Sequence, residues 1–202
     1  MRIAFKEWAV IVDALGRGDQ IVILRKGGLH EGTGGFRVGH REFLLFPTQF
    51  HQQKESVLPA AWERFNAVSP KHSDPTGTRL EFLVRVEDWA RLESPEDAAR
   101  LAGQHVWRGE VITRRFDWGG EKSIFALAAR VFRLREPIEI PMRSEYGGCK
   151  SWIELHEEIS EEGSSPVLDE HTFAAKFEAF RAALGDCGNG SVQDRSAEIR
   201  RA

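Results

Sequence analysis

The sequence predicts an α+β fold, with a mixed, mainly antiparallel sheet of about five strands packed by helices, an extra C-terminal helix and a disordered tail. Three observations predict it. Segments such as RLEFLVRVEDW and SIFALAARVFRL alternate apolar and polar residues, as half-buried strands do. Others, such as the stripe Phe173, Phe177, Phe180 and Leu184, place apolar residues three and four apart, as helices do. The two kinds follow one another without the strict βα alternation of a doubly wound sheet.

Each element has its own justification. Phe5, Trp8, Ile11, Val12 and Leu15 recur at helical spacing and Gly16 is placed to end the run, which predicts a helix over 5–15. GRGD then turns the chain into a strand over 20–26, whose consecutive apolar residues call for cover on both faces. The glycine-rich KGGLHEGTGGF leads to a second strand over 41–46, closed by Pro47. Thr48 is placed as a helix cap and Pro59 as a helix opener, which predicts helical sequence over 49–66. SPKHSDPTGT is a turn-rich connection to a strand over 78–87, with Leu80, Phe82, Val84 and Val86 on one face.

Ser94 as cap, Pro95 in the first turn and Gly103 at the stop predict a helix over 95–102. VWRGEVITRRFDW reads as helix, and strands follow over 124–134 and 150–155. The acidic EEISEEG marks a boundary. A core domain over 1–156, an acidic linker with a C-terminal helix over 157–185, and a disordered tail over 186–202 are expected, the tail because it has almost nothing apolar to bury.

Composition excludes several function classes. A chain of 202 residues with 41% hydrophobic and 29% charged residues suits one conventional soluble core. A net charge of −3 provides no global basic field, so any anion site must be local. Cys149 and Cys187 lie far apart without CxxC spacing, which argues against a disulfide framework or a structural zinc site. His30, His40 and His51 show no HExxH or HxH spacing, so no metal is expected. The N-terminal apolar run is broken by Asp13, no small-residue cleavage site follows, and no run approaches a membrane span. A cytoplasmic protein with no membrane partner is the resulting expectation.

Four stretches carry residue types suited to chemistry. In KGGLHEGTGGF, glycines such as Gly27 and Gly28 would let backbone N–H groups approach an anion, with Lys26, His30 and Glu31 alongside. A strand follows the loop instead of a helix, so it is neither a GxxxxGKS/T loop nor a GxGxxG fingerprint, and a plain glycine-rich hairpin is the competing reading. HREFLLFPTQFHQQ places Arg41 at the strand entry and His51 at an expected helix start, where a neutral imidazole could act as base or donor. The alternative for His51 is a surface position on an amphipathic helix. RSEYGGCKSW combines Arg143, Tyr146, Cys149 and Lys150. The lysine could lower the thiol pKa, whereas the simpler reading is a core cysteine beside a turn. TRRFDWGG joins Arg114 and Arg115 to Phe116 and Trp118, as phosphate or base contacts would, or as an ordinary solvated face would.

In that order, KGGLHE, FLLFPTQFHQQ, RRFDW and YGGCKSW resemble the bacterial family known as domain of unknown function 1802. The resemblance runs from about Glu7 to Leu155 and leaves the Phe173 helix and the tail outside. It implies one shared domain and a prokaryotic source, and it carries no activity.

The reading of function is a binding domain for an anionic, phosphate-bearing ligand, a nucleotide or nucleic acid. Its contacts would come from Lys26, Gly27, Gly28, His30, Glu31, Arg41, His51, Arg114, Arg143, Tyr146 and Lys150. A hydrolase or transferase using His51 or His30 as base, with Cys149 or a water as nucleophile, is the alternative. A structural interaction protein, dimerising through the Phe173 helix, is the third. No particular cofactor is implied.

Overall fold

The first eight residues decide the architecture. Ala4, Phe5, Lys6 and Glu7 are all buried, which no single-faced helix would produce. They form a strand covered on both sides, β1 (Ile3–Trp8), so the expected helix over 5–15 starts only at α1 (Ala9–Gly16). The helical periodicity of Phe5 and Trp8 was an accident of a strand running straight into a helix. α1 is buried at every residue except Asp13, and its last residue approaches the sheet so closely that a Cβ on Gly16 would overlap the Phe82 ring.

The computed structural model describes residues 1–26, 38–70, 76–118 and 122–185. After α1 come β2 (Val22–Arg25), β3 (Glu42–Thr48), α2 (Trp62–Val68), β4 (Gly77–Leu92) and α3 (Pro95–Ala99). They are followed by α4 (Gly109–Asp117), β5 (Ile124–Pro141), β6 (Trp152–Glu154), β7 (Ser165–Pro166) and α5 (Glu170–Leu184). The sheet has the order β2-β5-β4-β3-β1-β6, with β7 added beside β5. β1 and β3 are parallel and the remaining pairs antiparallel, so the fold is α+β with a mixed, mainly antiparallel sheet and a C-terminal helix.

β4 and β5 form a long hairpin interrupted by register shifts at Leu80/Phe82 and Val86/Asp88. Such bulges bend and twist a strand pair. The sheet curls until its two ends meet: Arg25 on β2 donates from Nε to Ser151 Oγ, 2.7 Å away, at the entry to β6. The main core contains Phe5, Ile11, Leu15, Ile23, Phe43 and Leu127, and α5 adds Phe173, Phe180 and Leu184 to it. A second core on the other face gathers Ala4, Leu44, Phe46, Leu83, Tyr146 and Ile153.

Two helical expectations shrink. Over 49–66, Gln52 N–H bonds back to Gln49 O and His51 has φ 58, so a turn stands where helix was expected. Short 3-10 turns at Lys54–Ser56 and Pro59–Ala61 follow, and regular helix begins only at Trp62. Leu58, held extended ahead of Pro59, divides the region, because a proline disfavours helical backbone in the residue before it. Helix α3 has the expected Ser94 cap, accepting from Asp97 N–H at 3.2 Å. It tightens after Ala99 into i to i+3 bonds and ends near Gly103, whose φ is 83. Residues 27–37, with the candidates Gly27, Gly28, His30 and Glu31, and residues 186–202, with Cys187, lie outside the described residues.

Candidate functional site

Glu7 is the most unusual side chain of the fold. It projects from the last turn of β1 on the same side as Phe5, into the main core, and is only 3% exposed. Its Oε1 accepts from Trp8 N–H at 2.7 Å. Burial raises its pKa, and Arg25, the Trp8 N–H and Arg115 oppose that rise only in part. Among the described residues, no ion pair within 4.0 Å joins this carboxylate to either arginine. Two guanidinium groups therefore surround Glu7 without closing on it.

Both arginines are held by structure on their far sides. Arg25 ends β2, donates to Ser151 Oγ and lies over the Phe5 ring, 5.2 Å from its centroid. Arg115 projects inward from α4, donates from Nη1 to Leu24 O at 3.0 Å and lies 4.0 Å from the centroid of Trp107. Burial lowers the Arg115 pKa to about 10, Glu7 partly restores it and Arg25 lowers it further. Its side chain is nevertheless only half-buried, so solvent still reaches it. Arg115 is thus enclosed on most sides yet still reached by solvent.

Lys6 points to the opposite face of β1 and fastens the next wall. Its Nζ donates to Tyr146 O at 2.8 Å and Gly148 O at 2.7 Å. The turn it grips needs Gly148 in the left-handed region, at φ 75, where a side chain would be strained. Burial depresses the Lys6 pKa first, followed by Lys150 and then Arg25, while Cys149 acts in the other direction. Arg25 thus links two charged groups, with Glu7 and Arg115 on one face of β1 and Lys6 and Lys150 on the other.

Aromatic rings complete the walls. Trp8 and Trp107 pack with centroids 4.7 Å apart. On the other side Trp152 touches Phe5, Phe43 and His40 at 4.8, 5.0 and 5.0 Å. Burial lowers the pKa of His40. His105, beside Trp107 in sequence, is pushed down to about 4 by burial and by the Arg115 charge, so it is neutral at pH 7.

The residues singled out from sequence are distributed as follows. Lys26 continues β2 directly after Arg25 and is half-buried. Cys149, a free thiol, and Lys150 are half-buried beside Lys6. The stem of the glycine loop, YGGCKSW and RRFDW thus meet at the junction of β2 and β6. The inward residue of the arginine pair is Arg115 and not Arg114, which is exposed and bonds back to Glu110 O. Consecutive helical residues point about 100° apart, so only one of them can face the cleft.

Arg143 and Tyr146 belong to a separate structural cluster. Arg143 pairs with Glu157 at 3.1 Å, and buried Tyr146 accepts from His156 N–H and donates to Glu157 Oε2. Arg41 is exposed at the entry to β3. His51 is exposed in its turn, 4.0 Å from the ring of Phe50, and among the described residues none of its contacts reaches Cys149. Its neighbour Gln52 accepts from Val10 N–H at the start of α1, whereas the helix start expected at TQFHQQ itself is a turn.

Glu7, Lys6, Arg25, Trp107 and His105 were not singled out from sequence. One signal was available: the adjacent charges Lys6 and Glu7 interrupt an apolar run, and in a strand covered on both faces both must be buried. Among the described residues, no group of three His, Cys, Asp or Glu side chains could hold a metal ion, and no helix is long and apolar enough to cross a membrane.

Comparison with solved structures finds similarity to the crystal structure of a mutant ZmASCH protein from Zymomonas mobilis. The identity is 13% and the TM-score 0.41, over 77% of this chain and 90% of that one. A search of curated proteins returns no match. The model of the family DUF1802, a domain of unknown function, matches residues 4–179. That match runs past Leu155 into α5, so the C-terminal helix, expected from sequence to lie outside the family resemblance, falls largely within it. The chain belongs to the DUF1802 family.

Proposed function

We propose that this domain binds an anionic, phosphate-bearing ligand in the cleft between the stem of the glycine-rich loop, the YGGCKSW turn and α4. One observation carries the reading: the single carboxylate of Glu7 faces two guanidinium groups, Arg25 and Arg115, and Arg25 is in turn within electrostatic reach of Lys6, beside Lys150. Enclosed charge is costly unless it is compensated, and an incoming anion would supply the missing compensation. Arg25 and Arg115 are pre-positioned by Ser151, Phe5, Leu24 and Trp107, which reduces the ordering cost of binding. Planar guanidinium groups suit phosphate oxygens in particular. Lys26, at the rim, would join them.

A hydrolase built on Cys149 and His51 receives no support from the geometry, since His51 stands in an exposed turn with its ring tilted against Phe50. The test is a titration with inorganic phosphate, adenosine monophosphate and a short oligonucleotide, followed by calorimetry. Wild type is expected to bind at least one of them. Arg25→Met should weaken binding tenfold or more while keeping its circular dichroism spectrum, and exposed Arg114→Ala should bind like wild type. Absence of binding by wild type, or equal losses in Arg25→Met and Arg114→Ala, would overturn the reading.

A further inference from the structure

Two buried ring nitrogens beside Arg115, Trp107 Nε1 and His105 Nδ1, lack a well-formed hydrogen bond among the described residues; the His105 ring lies near the backbone carbonyls of His105 and Trp107. Their side chains belong to residues only 2% and 8% exposed. Unsatisfied buried polar groups are rare, and each calls for an explanation such as a water, an ion or a ligand. These two, unlike the isolated Arg143 Nε, lie within three residues of one another and beside the same guanidinium, so a single group between them would account for both.

The local structure holds them in place. Val57 and Trp107 form an antiparallel bridge, Leu58 N–H bonds to Val106 O, and Arg108 N–H bonds to Ser56 O. On the other flank Val106 N–H donates to Gln20 Oε1. The backbone of the segment is therefore satisfied while its two side-chain atoms are not. The Arg115 guanidinium lies over the face of the Trp107 ring, so the donors of the two planar groups emerge at their edges on adjacent levels. One phosphoryl group carries several acceptor oxygens and can span two such levels. An enclosed floor of this kind suits a terminal group better than a backbone that must pass through.

Resting on the anion-binding reading above, we infer that Trp107 Nε1–H, His105 and Arg115 form a subsite for a terminal phosphate monoester, with the indole and guanidinium donating to different oxygens of the same group. A phosphodiester inside a strand would not enter it. The indole can only donate, so it selects an acceptor oxygen, and a neutral His105 can donate from one ring nitrogen.

The test uses the full chain and the variants Trp107→Phe and His105→Phe. The first keeps an aromatic ring beneath Arg115 while removing the N–H and part of the indole volume. Titrations with inorganic phosphate, adenosine monophosphate and glucose 6-phosphate separate a nucleotide source from a sugar phosphate source. An oligonucleotide lacking terminal phosphates is the diester probe. Wild type should prefer monoesters, and Trp107→Phe should lose about tenfold in monoester affinity, as expected for one charge-assisted hydrogen bond. Its melting temperature should fall, because Phe leaves part of the buried indole volume empty, so affinities are compared at a temperature where both proteins are folded. The indole cross-peak of Trp107, assigned by its loss in Trp107→Phe, should move when phosphate is added.

Unchanged monoester affinity in both variants, alongside lost binding in Arg25→Met, would overturn this subsite and leave the cleft as an anion site. Binding of the diester oligonucleotide as tightly as the monoesters would also overturn it. A Trp107 indole cross-peak that stays in place on adding phosphate would also overturn it, any affinity loss in Trp107→Phe then being structural. No binding of any probe by wild type would remove both the subsite and the broader reading.

Discussion

His105 should make the stability of this protein depend on pH between 6.5 and about 4. Its imidazole is pushed from 6.5 to about 4, first by burial and then by the neighbouring Arg115 charge. The unfolded chain takes up a proton near 6.5, while the folded protein resists it until about 4. Between those values the unfolded state binds more protons, so stability rises with pH across this window and is lost as pH falls through it. Above 6.5 the contribution is complete. A displacement of roughly 2.5 pH units corresponds to about 3 kcal/mol at most, a large share of the stability of a typical domain. Urea unfolding of wild type and His105→Phe at intervals from pH 4.5 to 7.5 measures it. The pH-dependent difference between the two proteins should grow by about 2 to 3 kcal/mol as pH falls from 7 to 4.5, because only wild type carries the titrating imidazole. Glu7 acts in the opposite direction, its raised pKa stabilising the folded state as pH falls towards 4.5, but it is common to both proteins and cancels in the difference. Parallel stability curves for the two proteins would refute the argument and place His105 in contact with water.

Two further perturbations probe the framework that holds the cleft. Gly16→Ala should destabilise the protein by about 1 to 3 kcal/mol, since its Cβ would overlap the Phe82 ring where α1 meets the sheet; a urea midpoint equal to wild type would contradict that packing. Lys6→Met should release the 146–148 turn and speed thiol labelling of Cys149, because the ammonium bonds to Tyr146 O and Gly148 O are lost. An unchanged labelling rate would mean that the turn stands without its lysine.

The sequence by itself determined the fold class, the strands β2 to β5, the capped start of α3 and the stripe of α5, because each rests on local information. Alternation, caps and turn residues act within a few positions of one another. It also marked RRFDW and YGGCKSW, which reach β2 through Arg115 and Ser151, and the family to which they belong. Only the tertiary structure decided that Phe5 to Trp8 is a strand, because a strand buried on both faces has no period to read and its apolar spacing can imitate a helix. The choice of Arg115 over Arg114 depended on how α4 is rotated against β2, which the sequence of α4 does not specify. The same holds for the cluster of Glu7, Arg25, Trp107 and His105. Glu7 and Arg25 lie about 80 to 100 positions from His105 and Trp107 along the chain, and bulges in the β4–β5 hairpin curl the sheet so that β2 and β6 face each other. Closure of that kind is a sum of small bends over many residues, and no short stretch of sequence carries it.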